Sequence, residues 1–248
     1  MEWENPGIVL DARLYGEGDV IATVFTEAQG AFRGLVRGGG SRQRAATWQA
    51  GNLVQARWVA RLAEQLGSFT GELVHASAAL VMSDPLRLGT LAAACAVAEG
   101  ALPEREPHPR VFQDLLHLLA HIARSAEPVA DLVRWEALLL ADLGYGLDLT
   151  ACAVTGERDA LAFVSPKTGR AVSENGAGEW RARLLALPGF LLGEAASSPE
   201  AWRDGLRLTG HFLARDAFGA QHRPLPAMRV ALYDRVTAMT MTKDAADA

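Results

Sequence analysis

Residues 28–63 read AQGAFRGLVRGGGSRQRAATWQAGNLVQARWVARLA, and this stretch decides the predicted fold. It contains no Asp or Glu, although the formal net charge of the whole chain is −5. Positive charge is therefore concentrated in one short part of an acidic protein. Its arginines are Arg33, Arg37, Arg42, Arg44, Arg57 and Arg61.

Alternation within the stretch predicts two β-strands, each with one buried face and one basic face. In residues 31–37 the even positions are apolar or glycine, and the odd positions include two arginines. Residues 54–62 alternate in the same way with another pair of arginines. Between the strands, the glycine-rich segment 38–44 carries the remaining two on a predicted flexible loop.

A basic surface joined to a mobile basic loop suits an extended polyanion, because the Arg fork binds phosphate through two hydrogen bonds. We therefore predict that this part of the chain binds nucleic acid. A solvated sheet face, with Arg present only for solubility, is the alternative. Trp48, beside the loop, either stacks on a base or anchors the loop to the barrel. Trp58 lies on the apolar face of its strand and is predicted to be a core residue.

Length and composition limit the class of protein. A chain of 248 residues, half of them apolar, can bury the core of one large domain or of two to three small ones. Its only cysteines, Cys95 and Cys152, are too few for a disulfide framework and fit a reducing cytosol. No targeting segment is visible, and the longest apolar run, residues 91–98, is too short to cross a bilayer. We expect a cytoplasmic protein.

Strands occupy the first third of the chain, and helices follow. Residues 7–76 read as five short strands with glycine-rich turns, which is typical of a small closed barrel. The five-stranded OB-fold is the best match, and single-stranded nucleic acid is its commonest ligand. A period of about 3.6 begins near Ser77, and a short strand is predicted at residues 161–164. The predicted helices span about residues 85–101, 110–124, 128–143, 178–186, 199–218 and 226–239.

Catalytic and metal-binding patterns are weak in this sequence. His117 and His121 are spaced as two zinc ligands on a helix, but they continue a polar stripe that favours a solvated face. The Glu of a His-Glu-x-x-His protease is missing, and no Gly-Lys-Ser/Thr follows the three glycines 38–40. We predict no catalytic centre, no metal and no cofactor. A nuclease using the two histidines remains a rival hypothesis.

Cys152 lies in a segment similar to a zinc ribbon in which Thr155 replaces the second ligand. A structural zinc site needs four N or S donors, and residues 153–175 contain no Cys or His. Zinc should therefore be absent, and packing should hold the loop. The side chains available for that packing are Leu147, Leu149, Leu161 and Phe163.

Four segments carry a resemblance to a known family. They are GIVL at residues 7–10, LVRGG at 35–39, LGYGLDLTACAVTG at 143–156 and VSPKTGRAVS at 164–173. In this order they resemble the bacterial RecO recombination-repair proteins, most closely the alphaproteobacterial branch. The resemblance covers nearly the whole chain, and the last two segments are its most specific part.

The resemblance implies an N-terminal OB-fold, a helical domain and an inserted zinc-ribbon-like loop. Members with an intact zinc module have four Cys in this loop. This chain has only Cys152 there, so the resemblance does not imply zinc. The family binds single- and double-stranded DNA, anneals complementary strands without ATP and, with RecR, helps load RecA onto DNA coated by single-strand-binding protein. A nucleoid-associated cytoplasmic location is implied too. The expected DNA-binding residues are the six arginines of residues 28–63 and Trp48.

The family also implies that the acidic, apolar tail of single-strand-binding protein docks on the helical domain. Arginines there could pair with the carboxylates of the tail. A protein adaptor that binds these partners with little direct DNA contact is the rival function. The candidate arginines for the tail are Arg124, Arg134, Arg203 and Arg207.

Together these features predict a multi-domain α+β protein. It has an N-terminal five-stranded OB-fold barrel and then an all-α helical domain with an inserted, degenerate zinc-ribbon-like loop. The predicted segments are 1–80 (OB-fold, nucleic-acid binding), 81–145 (first part of the helical domain), 146–176 (insertion without a full ligand set), 177–241 (second part of the helical domain) and 242–248 (frayed tail).

Overall fold

The strand-forming residues near the N-terminus build a closed barrel in the computed structural model, which describes residues 1–62, 64–194 and 198–246. The barrel has the strand order β1-β2-β3-β5-β4, and β4 pairs with β1 to close it. All neighbours are antiparallel except β3 and β5. The strands are β1 (Glu2–Tyr15), β2 (Asp19–Thr26), β3 (Gly30–Val36), β4 (Leu53–Val59) and β5 (Ser68–His75).

The predicted alternation of the two basic strands is confirmed. On β4, Val54 and Trp58 are buried while Arg57 is exposed, because successive side chains point to opposite faces. Leu62 was also expected on the apolar face, but it is 53% exposed because the strand ends at Val59. The barrel core therefore stops short of the predicted end of the strand.

Aromatic rings fill the barrel and require glycine at one position. A Cβ atom on Gly34 would lie 2.5 Å from the Phe69 ring, so only glycine allows this approach. The Trp58 indole N–H donates to the carbonyl oxygens of Arg33 and Leu66, at 3.1 and 3.2 Å. Trp58 is 1% exposed, as predicted for a core residue, and its one polar atom has partners.

Helices complete the first compact unit, Met1–Ala126. The predicted start of the long helix is confirmed: Asp84 Oδ1 accepts the N–H groups of Leu86 and Arg87, at 3.0 and 3.1 Å, and Pro85 takes the first helical position. The helices of this unit are α1 (Arg42–Ala45), α2 (Ser77–Val81), α3 (Pro85–Ala101) and α4 (Pro109–His121).

The second compact unit, Glu127–Ala248, contains helices and a small antiparallel sheet. The described residues between Leu161 and Ala186 form three strands in the order β7-β6-β8. The elements are α5 (Pro128–Asp142), β6 (Leu161–Val164), β7 (Ala171–Ser173), α6 (Glu174–Ala177), β8 (Leu185–Ala186), α7 (Pro199–Phe212) and α8 (Ala227–Ala246).

Two sequence expectations for this unit differ from the structure. The α-helix predicted for residues 178–186 is wrong: Gly178–Arg183 is a 3-10 turn, and β8 then pairs with β6. A strand forms there because it buries Leu185 against the sheet, a tertiary gain that outweighs local helix propensity. The last helix continues through residues 242–246, which were assigned to a frayed tail, whereas residues 247–248 lie outside the described residues.

A buried ion pair joins α5 to α8 inside the second unit. Glu136 is 0% exposed and Arg229 is 2% exposed. Arg229 Nε donates to Glu136 Oε1 at 2.5 Å, and Nη2 donates to Oε2 at 3.0 Å. The Leu206 carbonyl and the Thr209 hydroxyl of α7 are further partners. Three helices are thus tied together by one satisfied polar network.

Candidate nucleic-acid interface

The six arginines of residues 28–63 are all exposed, but only Arg33 and Arg57 lie on strands, and these strands are not neighbours. β5 lies between β3 and β4, so it separates Arg33 from Arg57. Thr70 of β5 pairs directly with Arg57. The basic side chains therefore lie on the outside of the barrel as predicted, although they do not form one continuous sheet face.

Two of these arginines are already paired with carboxylates. Arg33 Nη2 lies 3.3 Å from Glu99 Oε1, and its Nε lies 3.1 Å from Glu104 Oε1. Arg57 Nη2 lies 2.6 Å from Glu2 Oε1. Part of the positive charge seen in the sequence is therefore balanced within the fold.

The other four, Arg37, Arg42, Arg44 and Arg61, make no ion pair with any residue that the structure describes. Arg44 Nη1 donates to the carbonyl oxygen of Arg37, which holds the loop helix α1 against the end of β3. Three unpaired guanidinium groups thus lie close together along the chain, on the loop between β3 and β4. We call Arg37, Arg42 and Arg44 the loop arginines.

A cleft of about 480 Å³ opens beside the loop arginines, between β3 and β5. Leu35, Trp48 and Phe69 supply apolar lining, and the rim includes Arg37 and Arg44. The hydroxyl side chains that line it are Thr47, Ser68 and Thr70.

Trp48 anchors the loop to the barrel in this structure. It is 4% exposed, and its ring centroid lies 5.9 Å from that of Phe69. A ring so deeply buried has no free face on which a base could stack, which favours the anchoring interpretation over the stacking one.

Asn52 fixes the other end of the loop, and sequence reasoning missed it. Its side-chain amide donates to the carbonyl oxygens of Ala46 and Thr47, at 2.8 and 3.3 Å. It is 1% exposed. A polar residue at an even position next to β4, where its neighbours are apolar, was the available signal.

Arg105 is a second residue that sequence reasoning missed. Its guanidinium lies 5.2 Å from the centroid of the Phe32 ring and 6.0 Å from that of Trp58, within reach of a cation–π interaction. The backbone N–H of Arg105 donates to the Ala31 carbonyl at 2.9 Å. The segment between α3 and α4, which contains Arg105, therefore packs on the barrel.

Comparison with known proteins supports the resemblance seen in the sequence. The family model described as Recombination protein O N terminal matches residues 1–77, and Recombination protein O C terminal matches residues 82–224. The chain belongs to the RecO family. Membership ties it to DNA repair and recombination.

Relatives of high identity extend over almost the whole chain. The DNA repair protein RecO of Granulibacter bethesdensis is 60% identical over 246 residues, 98% of each chain. That of Gluconacetobacter diazotrophicus is 56% identical over 245 residues, and that of Acidiphilium cryptum is 57% identical over 241. Both matches cover 96% of each chain.

The four arginines considered for partner binding in this RecO family member do not share one environment. Arg134 pairs with Asp131 at 2.8 Å and Glu127 at 3.6 Å, and Arg203 pairs with the adjacent Asp204 at 3.0 Å. The other two are exposed and make no ion pair with a described residue, and they lie in different compact units: Arg124 in the first and Arg207 in the second.

The histidine pair lies on an exposed helix face, as the solvated-face interpretation predicted. The His117 and His121 rings stack with centroids 6.0 Å apart, and His121 Nδ1 lies 2.9 Å from the His117 carbonyl oxygen. Within residues 1–62, 64–194 and 198–246, no group of three or more His, Cys, Asp or Glu side chains is placed to hold a metal ion.

Cys152 is buried and accepts several hydrogen bonds. Its Sγ accepts from the Ser173 N–H at 3.1 Å and the Ser173 hydroxyl at 3.3 Å, and the N–H groups of Val154 and Thr155 lie at 3.4 Å. Burial raises the pKa of this thiol. The hydrogen bonds from Ser173 and Thr155 together have a larger, opposite effect, and they lower the pKa from its usual value to about 6. The sulfur therefore joins its loop to β7, in addition to the apolar packing that was expected.

Proposed function

We propose that this chain is a DNA-binding recombination mediator. It binds single- and double-stranded DNA through the loop arginines and anneals complementary strands without a catalytic centre. The observation that carries the proposal is a group of three exposed arginines on one anchored loop of an acidic protein, none of which forms an ion pair with a residue that the structure describes. We also propose that the barrel is an OB-fold, which its strand order and the short helix between β3 and β4 support.

The charges supply the mechanism. Annealing is slow when two phosphate backbones repel one another, and a basic surface reduces this repulsion by releasing counterions from the strand that it binds. Each guanidinium of the loop can donate two hydrogen bonds to one phosphate. Neither step needs ATP or a metal ion, so positioning and charge neutralisation account for the activity.

The proposed partners are RecR, the C-terminal tail of single-strand-binding protein and, indirectly, RecA. For the tail, Arg124 and Arg207 are better candidates than Arg134 and Arg203, because the latter two already pair with carboxylates. An exposed guanidinium without an ion pair can donate to a new carboxylate without breaking an existing pair. In this proposal DNA and the protein partners contact different arginines.

The test is the annealing of two complementary, fluorescently labelled oligonucleotides by the full chain. The variant Arg37→Ala/Arg42→Ala/Arg44→Ala should lose most of the acceleration, because it removes the loop arginines. A charge-matched control, Arg158→Ala/Arg183→Ala/Arg235→Ala, removes exposed arginines of the second unit and should anneal normally. Undiminished DNA binding and annealing by the loop variant at low salt would favour the adaptor instead.

A further inference from the structure

The pairing between β3 and β5 is the shortest strand pairing in the barrel. Among the described residues it consists of one parallel bridge, between Leu35 and Ser68, whereas the other strand pairs form long antiparallel ladders. The Leu35 N–H donates to the Gly67 carbonyl at 3.0 Å. Beyond this bridge the strands diverge, and the 480 Å³ cleft occupies the gap. Its volume falls within the range of about 300–1,000 Å³ that is usual for ligand pockets.

The lining of the cleft has the chemistry that a nucleobase needs. Leu35, which is half-buried, gives the cleft accessible apolar surface, and the nearly buried rings of Trp48 and Phe69 close its floor, so a base can make apolar contact there without stacking on a ring face. The hydroxyls of Ser68 and Thr70 can either donate or accept hydrogen bonds, so they can pair with the polar edge of any base. Such a lining favours a base without selecting one sequence.

Two guanidinium groups border the same cleft. Arg37 and Arg44 both line it, both are exposed, and neither forms an ion pair with a residue in the described part of the chain. A base inserted between β3 and β5 would bring its flanking phosphates to this rim. The negative charge of those phosphates complements the charge of the rim.

We infer that this cleft holds one unstacked nucleobase of a bound single strand, with the adjacent phosphates on Arg37 and Arg44. The inference rests on the proposed DNA binding and adds a subsite to it. A base in a single strand can turn out of the stack at little cost, whereas a paired base must first be flipped, which costs a few kcal/mol. The cleft therefore makes this site prefer single strands, while the rim arginines bind any phosphate backbone.

The experiment fills the cleft and compares two DNA forms. Binding of a fluorescein-labelled oligothymidylate and of a labelled duplex is measured by anisotropy with the full chain. Thr70→Trp places a ring in the cleft, whereas Leu73→Trp places the same ring at a position on β5 that does not line it. Thr70→Trp should weaken single-strand binding by about tenfold, which is within the range of one base contact. Duplex binding should be unchanged in both variants.

A second measurement leaves the protein unaltered. An oligonucleotide made of abasic sites keeps the phosphates but has no base to insert, so the wild-type chain should bind it about tenfold more weakly than oligothymidylate. Thr70→Trp should not distinguish the two ligands. Equal wild-type affinity for both would overturn the base subsite, even if Thr70→Trp failed to fold. If the wild-type chain bound neither single strands nor duplex, the proposed function itself would fail.

Discussion

Releasing Arg33 from its carboxylates should strengthen DNA binding. Arg33 is held by Glu99 at 3.3 Å and Glu104 at 3.1 Å, yet 46% of its side chain stays exposed. The double variant Glu99→Gln/Glu104→Gln removes both charges and leaves side chains of nearly the same shape. The pair with Glu104 is exposed on both sides and contributes only about 0–1 kcal/mol. Glu99 is only 11% exposed, so its replacement by Gln, which has nearly the same shape and can still form hydrogen bonds, is the change that keeps the barrel folded. The freed guanidinium then becomes available to a phosphate.

The size of the effect follows from counterion release. One additional contact to a single strand should steepen the dependence of log affinity on log salt by about 0.7. On lowering the salt concentration fourfold, the affinity of the variant should therefore rise about two- to threefold more than that of the wild-type chain. Arg33→Ala in the wild-type background should change the slope little, because the arginine is already engaged.

The assay is anisotropy of a labelled oligonucleotide, titrated at several salt concentrations. The matched control, Glu17→Gln/Glu72→Gln, changes the net charge equally but releases no arginine, since neither carboxylate pairs with one among the described residues. If the slope of log affinity against log salt steepened as much in the control as in the test variant, the cause would be the change in net charge and not a new contact from Arg33. An unchanged slope in the test variant would refute the reasoning.

Three further predictions concern the fold and its titratable groups. Glu136→Ala leaves Arg229 buried without its carboxylate and should lower the free energy of unfolding in urea by about 3–5 kcal/mol; a loss below about 1 kcal/mol would contradict the buried pair. The Cys152 thiol should ionise near pH 6, seen as a rise in thiolate ultraviolet absorbance that Cys152→Ala abolishes, whereas burial raises the pKa of Cys95 to about 12. Asp84→Ala should cost about 1 kcal/mol as a lost helix cap. Hydrogen bonds from the backbone and side chain of Arg87 lower the Asp84 pKa, so this cost should be present at neutral pH and vanish as the carboxylate is protonated in acid.

Local pattern was enough to predict the barrel strands and the start of α3. Strand alternation has a period of two, so the exposure of Arg57 and the burial of Trp58 follow from their positions alone. Asp84 and Pro85 form a local cap signal, and the helix begins where they predict. These features depend on residues close together in the sequence.

Whether each arginine pairs with a carboxylate could not be predicted, because the pairing depends on residues far away in the chain. Arg33 meets Glu99 from α3, 66 residues later, and no local pattern encodes that contact. Trp48 is beside a polar loop in the sequence, yet it enters the barrel core once β5 brings Phe69 close. The same holds for β8, which exists only because β6 offers it a partner. Tertiary contacts decided these points.

The dependence of single-strand binding on salt, compared between the wild-type chain and the loop variant, tests the central claim most directly. The loop arginines and Arg61, the four of residues 28–63 that have no ion pair in the described part of the chain, predict a slope of log affinity against log salt of about −3. Removing the loop arginines should leave a slope of about −1 and a much weaker complex at low salt. If the variant kept both the slope and the affinity of the wild-type chain, the loop would not be the DNA-binding surface.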